Sequence, residues 1–326
     1  MRIFIDKMKY ALIKEGYIFI KKILKHNASI NTDEDIMKMQ YTILRQNHVI
    51  EKGMSMRFPR KGFGQDKVLF LICRLSKYYD LYGKRDLFFL IYPLSTILEY
   101  IKYTKNNDVD ISSIEAEFKR LYEKTGFTIS DLEANEGGIK LISRIDILNS
   151  VQNIDFKFFV QSRHSIRYFS PELPDYKLIE KALEIAQYTP SACNRQGWMA
   201  HIFMGAKNRD LLGWQGGANG FYEEIPMSIL VTANMSAFLS YEPNQVYVDG
   251  GLYAMSLLYA IHSQGLGTIS LSCGFYSSKL SALYERFNIP DNEVPIMIIG
   301  VGCLLENFNI AISKRKDISR TTVIHK

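Results

Sequence analysis

The 326-residue chain has only four cysteines, and they stand far apart at Cys73, Cys193, Cys273 and Cys303. No C-x-x-C pair occurs among them, which excludes a thioredoxin-type couple, zinc-ribbon spacing and a disulfide framework; a reducing, cytoplasmic setting fits best. The six histidines (26, 48, 164, 201, 262 and 325) show no H-x-x-x-H pairing, so no metal site is expected. No G-x-S-x-G elbow or similar nucleophile motif is present. Long apolar runs are missing too. The greasiest stretch, Leu87–Ile101, is interrupted by Pro93 and carries Glu99, and it falls short of the ~20 residues a spanning helix needs. The basic start, Met1–Lys25, has no clean apolar stretch and no small-residue cleavage site, so neither a membrane span nor a secretory leader is expected.

What the chain does have is material for a sizeable core, with 47% hydrophobic and 23% charged residues. Its length suggests two structural units. The net charge of +6 belongs entirely to residues 1–150, which hold 25 Lys and Arg against 19 Asp and Glu. The remainder is neutral. No dense basic cluster or recognition motif supports nucleic-acid binding. A surface excess of cations still favours anionic partners, a membrane surface among them.

Residues 1–150 read as a mostly helical unit. Leu69, Leu71, Ile72, Leu75 and Tyr79 share one helical face, as do Leu87, Leu90, Ile91, Leu94 and Leu98. Ser112–Glu115 is a helix start, and Glu136-Gly137-Gly138 a breaker. From about 151, with the boundary near 149–158, the pattern changes to helices alternating with short apolar strands. Asp175 is placed to cap a helix through Ala186. Strands are expected over 199–204, 227–233, 268–272 and 295–302, and helices over 247–264 and 277–287. The 247–264 helix is rich in small residues (Gly250, Gly251, Ala254, Ser256, Ala260), which permit close approach of a neighbour, and Gly265 is its natural stop. The expected fold class is α+β, a central mixed sheet flanked by helices behind a helical N-terminal unit.

Two segments carry chemistry. In Arg163-His164-Ser165-Ile166-Arg167, two guanidiniums and a hydroxyl alternate along an extended stretch, so they converge on one side and can grip a phosphate dianion. A solvated basic turn is the plainer alternative. In Pro190-Ser191-Ala192-Cys193-Asn194-Arg195-Gln196-Gly197-Trp198, a turn of small and amide residues opens into a strand, and its backbone and amides suit the polar edge of a planar ring. An ordinary helix-to-strand turn is the plainer alternative there.

Together, and in this order, the two segments resemble those of the nitroreductase-like flavoenzymes, which bind FMN with R-x-S-x-R and P-S-x-x-N-x-Q-P-W. Across roughly residues 155–326 the resemblance implies a nitroreductase-like FMN domain. It assigns Arg163, His164, Ser165 and Arg167 to the phosphate and ribityl chain. It implies a homodimer with flavin at the interface, where Pro190, Ser191, Ala192, Asn194 and Gln196 serve the partner's flavin. Gly197 departs from the family's usual proline, which bears on the rigidity of that loop. Gly265-Leu266-Gly267 resembles the family's G-L-G lead into a strand, and the backbone at Cys273-Gly274 is the candidate contact to flavin N5, since only bare backbone approaches a ring so closely. Cys273 itself, with no resolving partner, reads as a packed small residue. The final strand and Lys314-Arg315-Lys316 resemble the family's closing basic segment, with Lys314 or Lys316 set to stabilise negative charge on reduced flavin; a solvated tail is the equal alternative.

The resemblance implies a ping-pong oxidoreductase that takes electrons from NAD(P)H and passes them to a nitro compound or quinone-like acceptor. Two rivals are an oxidase or dehydrogenase of a biosynthetic intermediate, such as one of surface polysaccharide, and a non-catalytic flavin-binding interaction module. Trp214–Phe221 reads as a flexible loop between strands that covers the substrate side of the ring. His48-x-x-Glu51-Lys52-Gly53 followed by Arg57, Arg60 and Lys61 offers either an anionic-substrate site or, with more weight, a structural ion-pair network. Similar H-x-x-E-K-G segments precede such domains in bacterial proteins of surface-polysaccharide clusters. The helical unit is expected to select substrate, partner or membrane surface without building the flavin site.

Overall fold

The computed structural model describes residues 2–56, 60–105, 109–135, 137–141, 154–308, 315 and 317–325, with backbone alone at 2–9, 11 and 12. The N-terminal part is helical as expected: α1 (Arg2–His26), α2 (Ile36–Met54), α3 (Gln65–Tyr82), α4 (Ile91–Lys105), α5 (Ser112–Thr125) and α6 (Ile129–Ala134). Local chemistry sets their ends. The Asp35 carboxylate accepts from the backbone N–H groups of Met37 and Lys38 to cap α2, and Thr128 and Asp131 form a capping box at α6. Pro93 sits in the first turn of α4, where its missing N–H has no helical partner to lose. Leu71, Leu75, Leu94, Ile97 and Tyr100 pack here at 0% exposure, so this half has a core of its own.

The C-terminal half holds α7 (Phe156–Ser162), α8 (Tyr176–Ala186), α9 (Gly205–Gln215), α10 (Gln245–Ser263) and α11 (Ser277–Phe287) around four strands. The strands are β1 (Trp198–Met204), β2 (Met227–Asn234), β3 (Gly267–Ser272) and β4 (Glu293–Gly302), in the order β1-β2-β4-β3. All four pair antiparallel, and an isolated parallel bridge joins Ser165 to Thr268 beside the β3 edge. Alternation along the strands divides the core. Ile229, Val231, Ile299 and Val301 face α8 and α10, whereas Leu230, Ile269, Leu271 and Ile298 face α9 and α11. A Cβ on Gly250 would lie 2.5 Å from the Ile296 side chain, so the small-residue face of α10 lets that helix seat against the sheet. Asp175 caps α8 through Lys177 N at 3.0 Å.

The two halves share a third core. Tyr41 of α2 and Phe19 and Ile23 of α1 pack with Ala233, Met235, Ala237, Phe238 and Val246. The inner side of α1 is also pinned by polar bonds: Glu15 accepts from Ser277 N and Oγ at 3.0 and 2.9 Å, and Lys25 pairs with Asp291 at 2.6 Å. Of the boundary expected at 149–158, residues 149–153 lie outside the described residues; α7 begins at Phe156. One expected loop is corrected. Trp214 and Gln215 belong to α9, and Trp214 packs edge-on against Phe275 and Phe287 at 5.0 and 5.8 Å. Packing between two rings leaves that half-buried indole at the edge of the core, held in the helix.

Candidate functional site

The Arg163–Arg167 segment leaves α7 and runs extended beside β3, with Ile166 N donating to Thr268 O at 2.8 Å. This pairing decides which way the side chains point. Ile166 (4% exposed) enters the core, so Arg163, Ser165 and Arg167 share the opposite side, as the alternation predicts. Among the described residues neither guanidinium is paired with a carboxylate. The surroundings add further polar groups. His262 of α10 bonds Ser162 Oγ at 2.8 Å, and burial, then the nearby charges of Arg163 and His164, hold its pKa below the ordinary histidine value. Two cations, a hydroxyl and two histidines around one outward-facing strand form a donor set that fits a phosphate dianion.

Residues 190–197 form a loop of uncommon backbone. Cys193, Asn194 and Gln196 have φ of 52°, 51° and 50°, left-handed values that non-glycine residues adopt at a cost of about 1–2 kcal/mol each. The residue that holds them there is Arg195. It is 1% exposed; its Nε donates to Ala192 O at 2.8 Å, and its Nη atoms reach the Glu242 carboxylate at 2.8 and 3.0 Å. Its guanidinium also lies 5.1 Å from the Phe238 ring centroid. Burial pushes the Glu242 pKa up, but the bonds from Arg195 and from Leu239 N outweigh it and leave the carboxyl below its ordinary value. Asp249, 1% exposed, accepts from Ala192 N at 3.0 Å, and Ser191 Oγ accepts from Gln196 N at 3.0 Å. With its backbone fixed this way, the loop turns Asn194 and Gln196 to the surface, while Pro190 is exposed and Ser191 and Ala192 are half-buried.

Gly197 has a steric reason. A Cβ there would lie 2.7 Å from Ala237 Cβ, because the turn Met235–Ala237 packs directly against it. Rigidity that a proline supplies elsewhere comes here from the Arg195–Glu242 pair. Sequence reasoning missed Arg195, Glu242 and Asp249 as determinants of the loop. Their partners lie 47 to 57 residues apart in the chain, and no local signal marks the pairing.

Cys273 is buried at 8% exposure and desolvation raises its thiol pKa to about 12, in keeping with a packed residue. The adjacent Gly274 has open space where a Cβ would be, so its backbone is accessible to a flat ligand. Leu266 is a core residue at 4% exposure. Lys314 and Lys316 lie outside the described residues, as does Arg57.

The helical half reaches the 190s loop. Glu51 of α2 accepts from Tyr92 Oη at 2.6 Å, and the side chains of Asn194 and Asn47 both lie against that phenol. Asn47, fully buried, donates to Thr96 Oγ1 at 3.1 Å, and its Oδ1 is left without a partner. Burial raises the Glu51 pKa against the lowering effect of Tyr92 and His48. Glu51 and Tyr92 also border an open cavity of about 500 Å³ that runs on to Glu99, Lys102 and Gly138. The Glu51 of the H-x-x-E-K-G segment therefore sits one side chain from the loop residue Asn194. The helical unit, expected not to build the flavin site, thus meets the 190s loop at Tyr92.

Residues 160–213 match the model of the Nitroreductase family, a span that includes both sequence segments described above. Two archaeal proteins that share the name "Putative NADH dehydrogenase/NAD(P)H nitroreductase" are similar to the chain. One, from Methanothermobacter thermautotrophicus, is 28% identical over 173 residues, covering 52% of this chain and 86% of the relative. The other, from Archaeoglobus fulgidus, is 29% identical over 147 residues, covering 44% and 82%. Among solved structures, a "putative nitroreductase in complex with fmn" from Desulfovibrio desulfuricans has a TM-score of 0.46 at 19% identity, covering 53% of this chain and 98% of that one. The family model thus matches residues 160–213, and the similar proteins account for about half of the chain's length.

Proposed function

We propose that this nitroreductase-family domain binds FMN and works as an NAD(P)H-dependent oxidoreductase with a nitro compound or quinone-like acceptor. The observation that carries the reading is the Arg163–Arg167 strand: two guanidiniums and a hydroxyl on its outward side, inside the family-matched span, with Ile166 in the core. Arg163, Ser165 and Arg167 hold the phosphate, and His164 the ribityl chain. The backbone at Cys273-Gly274, open at Gly274, meets the ring. FMN, when bound, supplies two-electron chemistry at its ring. The protein's part is to bind and orient: the donor and the acceptor use one place in turn, a ping-pong order that asks for little acid–base machinery.

The rigid 190–196 loop, turned outward, serves the flavin of a second copy, so the working unit is a homodimer. The scattered free cysteines support a cytoplasmic setting. The purified protein should be yellow, with FMN released on denaturation, and anaerobic NADH or NADPH should bleach it. A colourless protein that gains no flavin spectrum on mixing with FMN would overturn the reading. Dilution that dissociates the dimer should also release FMN, read as flavin absorbance in analytical ultracentrifugation; a flavin-loaded monomer would remove the shared site.

One observation favours a second reading. Because Tyr92, bonded to Glu51, touches Asn194, the helical half is placed to hold part of a larger substrate, as a dehydrogenase of a biosynthetic intermediate requires. Under that reading Tyr92→Phe slows turnover of the true substrate and leaves reduction of a small quinone unchanged.

A further inference from the structure

Helix α1 is amphipathic twice over. Its inner side packs on the C-terminal half through Phe19, Ile23 and Glu15. Its outer side presents a second apolar stripe: Tyr10, Ile13, Tyr17, Ile20 and Leu24, exposed by 70, 72, 65, 56 and 55%. The spacing of three, four, three and four residues puts all five on one line along the helix. Five large apolar side chains so aligned form a patch that a chain in water rarely leaves bare.

The charges beside the stripe say what covers it. Along one flank stand Lys14 and Lys21, seven residues apart and both exposed. Among the residues of α1 with described side chains the one acid, Glu15, does not balance them, because it is bound to Ser277 on the inner side. A self-paired coiled coil would bring this lysine row against its own copy with no acid across from it, so the flanks oppose self-association. An anionic surface meets both features, because it accepts the apolar stripe and attracts the lysines while their stems lie along the apolar boundary. Tyr10 and Tyr17 add rings that favour the headgroup level. No helix among the described residues is long and apolar enough to cross a membrane. Contact is therefore parallel to the surface.

We propose that the outer face of α1 docks the protein on an anionic lipid surface, with the inner face keeping the C-terminal half attached to the docked helix. The inference is independent of the flavin reading. It is tested by co-flotation of the full-length protein with vesicles of phosphatidylglycerol and phosphatidylcholine, against vesicles of phosphatidylcholine alone. Binding is expected to the first and not the second, and to weaken as salt rises from about 0.05 to 0.5 M. Lys14→Glu with Lys21→Glu should lower partitioning about 25-fold or more, at about fivefold for each lysine. Ile13→Asp or Ile20→Asp should lower it about tenfold, with the circular dichroism spectrum unchanged because both side chains point outward. Equal binding to both vesicle types, or to neither, overturns the proposal. So does conversion of a dimer into a monomer by Ile13→Asp or Lys14→Glu in sedimentation velocity, which would assign the stripe to a second copy of the chain. Capture by an acidic protein helix with no vesicle binding overturns it as well.

Discussion

Replacing Arg195 with methionine keeps most of its volume and removes its charge and all its donors. The guanidinium is 1% exposed and ties Ala192 O to the Glu242 carboxylate, whose side chain is 21% exposed. Breaking a buried pair by deleting one partner costs about 3–5 kcal/mol. Glu242 keeps its bond from Leu239 N at 2.9 Å and some access to water, which puts the expectation near the lower end, about 3 kcal/mol. Urea unfolding of parent and variant measures it. A second consequence follows for the loop. The left-handed backbone at Cys193, Asn194 and Gln196 stores about 3–6 kcal/mol, and without Arg195 the loop relaxes toward ordinary angles. FMN affinity should then fall although Arg195 is a positioning residue that the flavin never touches. The double variant Arg195→Met, Glu242→Gln should recover part of the lost stability, because no uncompensated charge remains. The pH dependence has a definite sign. The folded pKa of Glu242 lies below its ordinary 4.5, so the pair's contribution is present above that value and is lost as pH falls through the folded pKa. The stability gap between parent and Glu242→Gln should therefore narrow below about pH 4.5. A single variant within about 0.5 kcal/mol of the parent, or single effects that simply add in the double variant, would refute the keystone role.

Three further outcomes are expected. Arg163→Ala or Arg167→Ala should weaken FMN binding by about 30- to 1,000-fold, the equivalent of about 2–4 kcal/mol, in an equilibrium titration followed by flavin fluorescence; unchanged affinity in both removes the phosphate assignment. Gly197→Ala should cost about 1–3 kcal/mol in urea unfolding, since its methyl meets Ala237 Cβ at 2.7 Å, and a neutral result would mean that the Met235–Ala237 turn yields freely. Exposed Cys73 should alkylate with iodoacetamide at pH 8 while Cys273, buried and with its pKa near 12, stays unmodified by mass spectrometry; early labelling of Cys273 would show that the sheet opens there.

Much of this protein was legible in local sequence, because local physics carries it. Period-two and period-3.6 patterns marked the strands and helices of the C-terminal half, and the extended alternation of Arg163, Ser165 and Arg167 survived intact, since a strand's period alone decides which side each residue takes. Cys273 was correctly read as packing. Trp214 was read as the start of a loop because a glycine-rich stretch follows it, whereas packing against Phe275 and Phe287 holds it in the helix at the edge of the core. What only the tertiary structure decided is the company each segment keeps. Arg195 meets Glu242, Ala192 meets Asp249 and Gly197 meets Ala237 across gaps that no periodicity spans, and these contacts set the shape of the 190s loop. The same holds for the helical half. Its sequence dictated helices and a basic excess, but that Tyr92 touches Asn194 and that α1 keeps one apolar face inward and one outward depends on docking the two halves, an arrangement fixed by long-range burial and not by local preference.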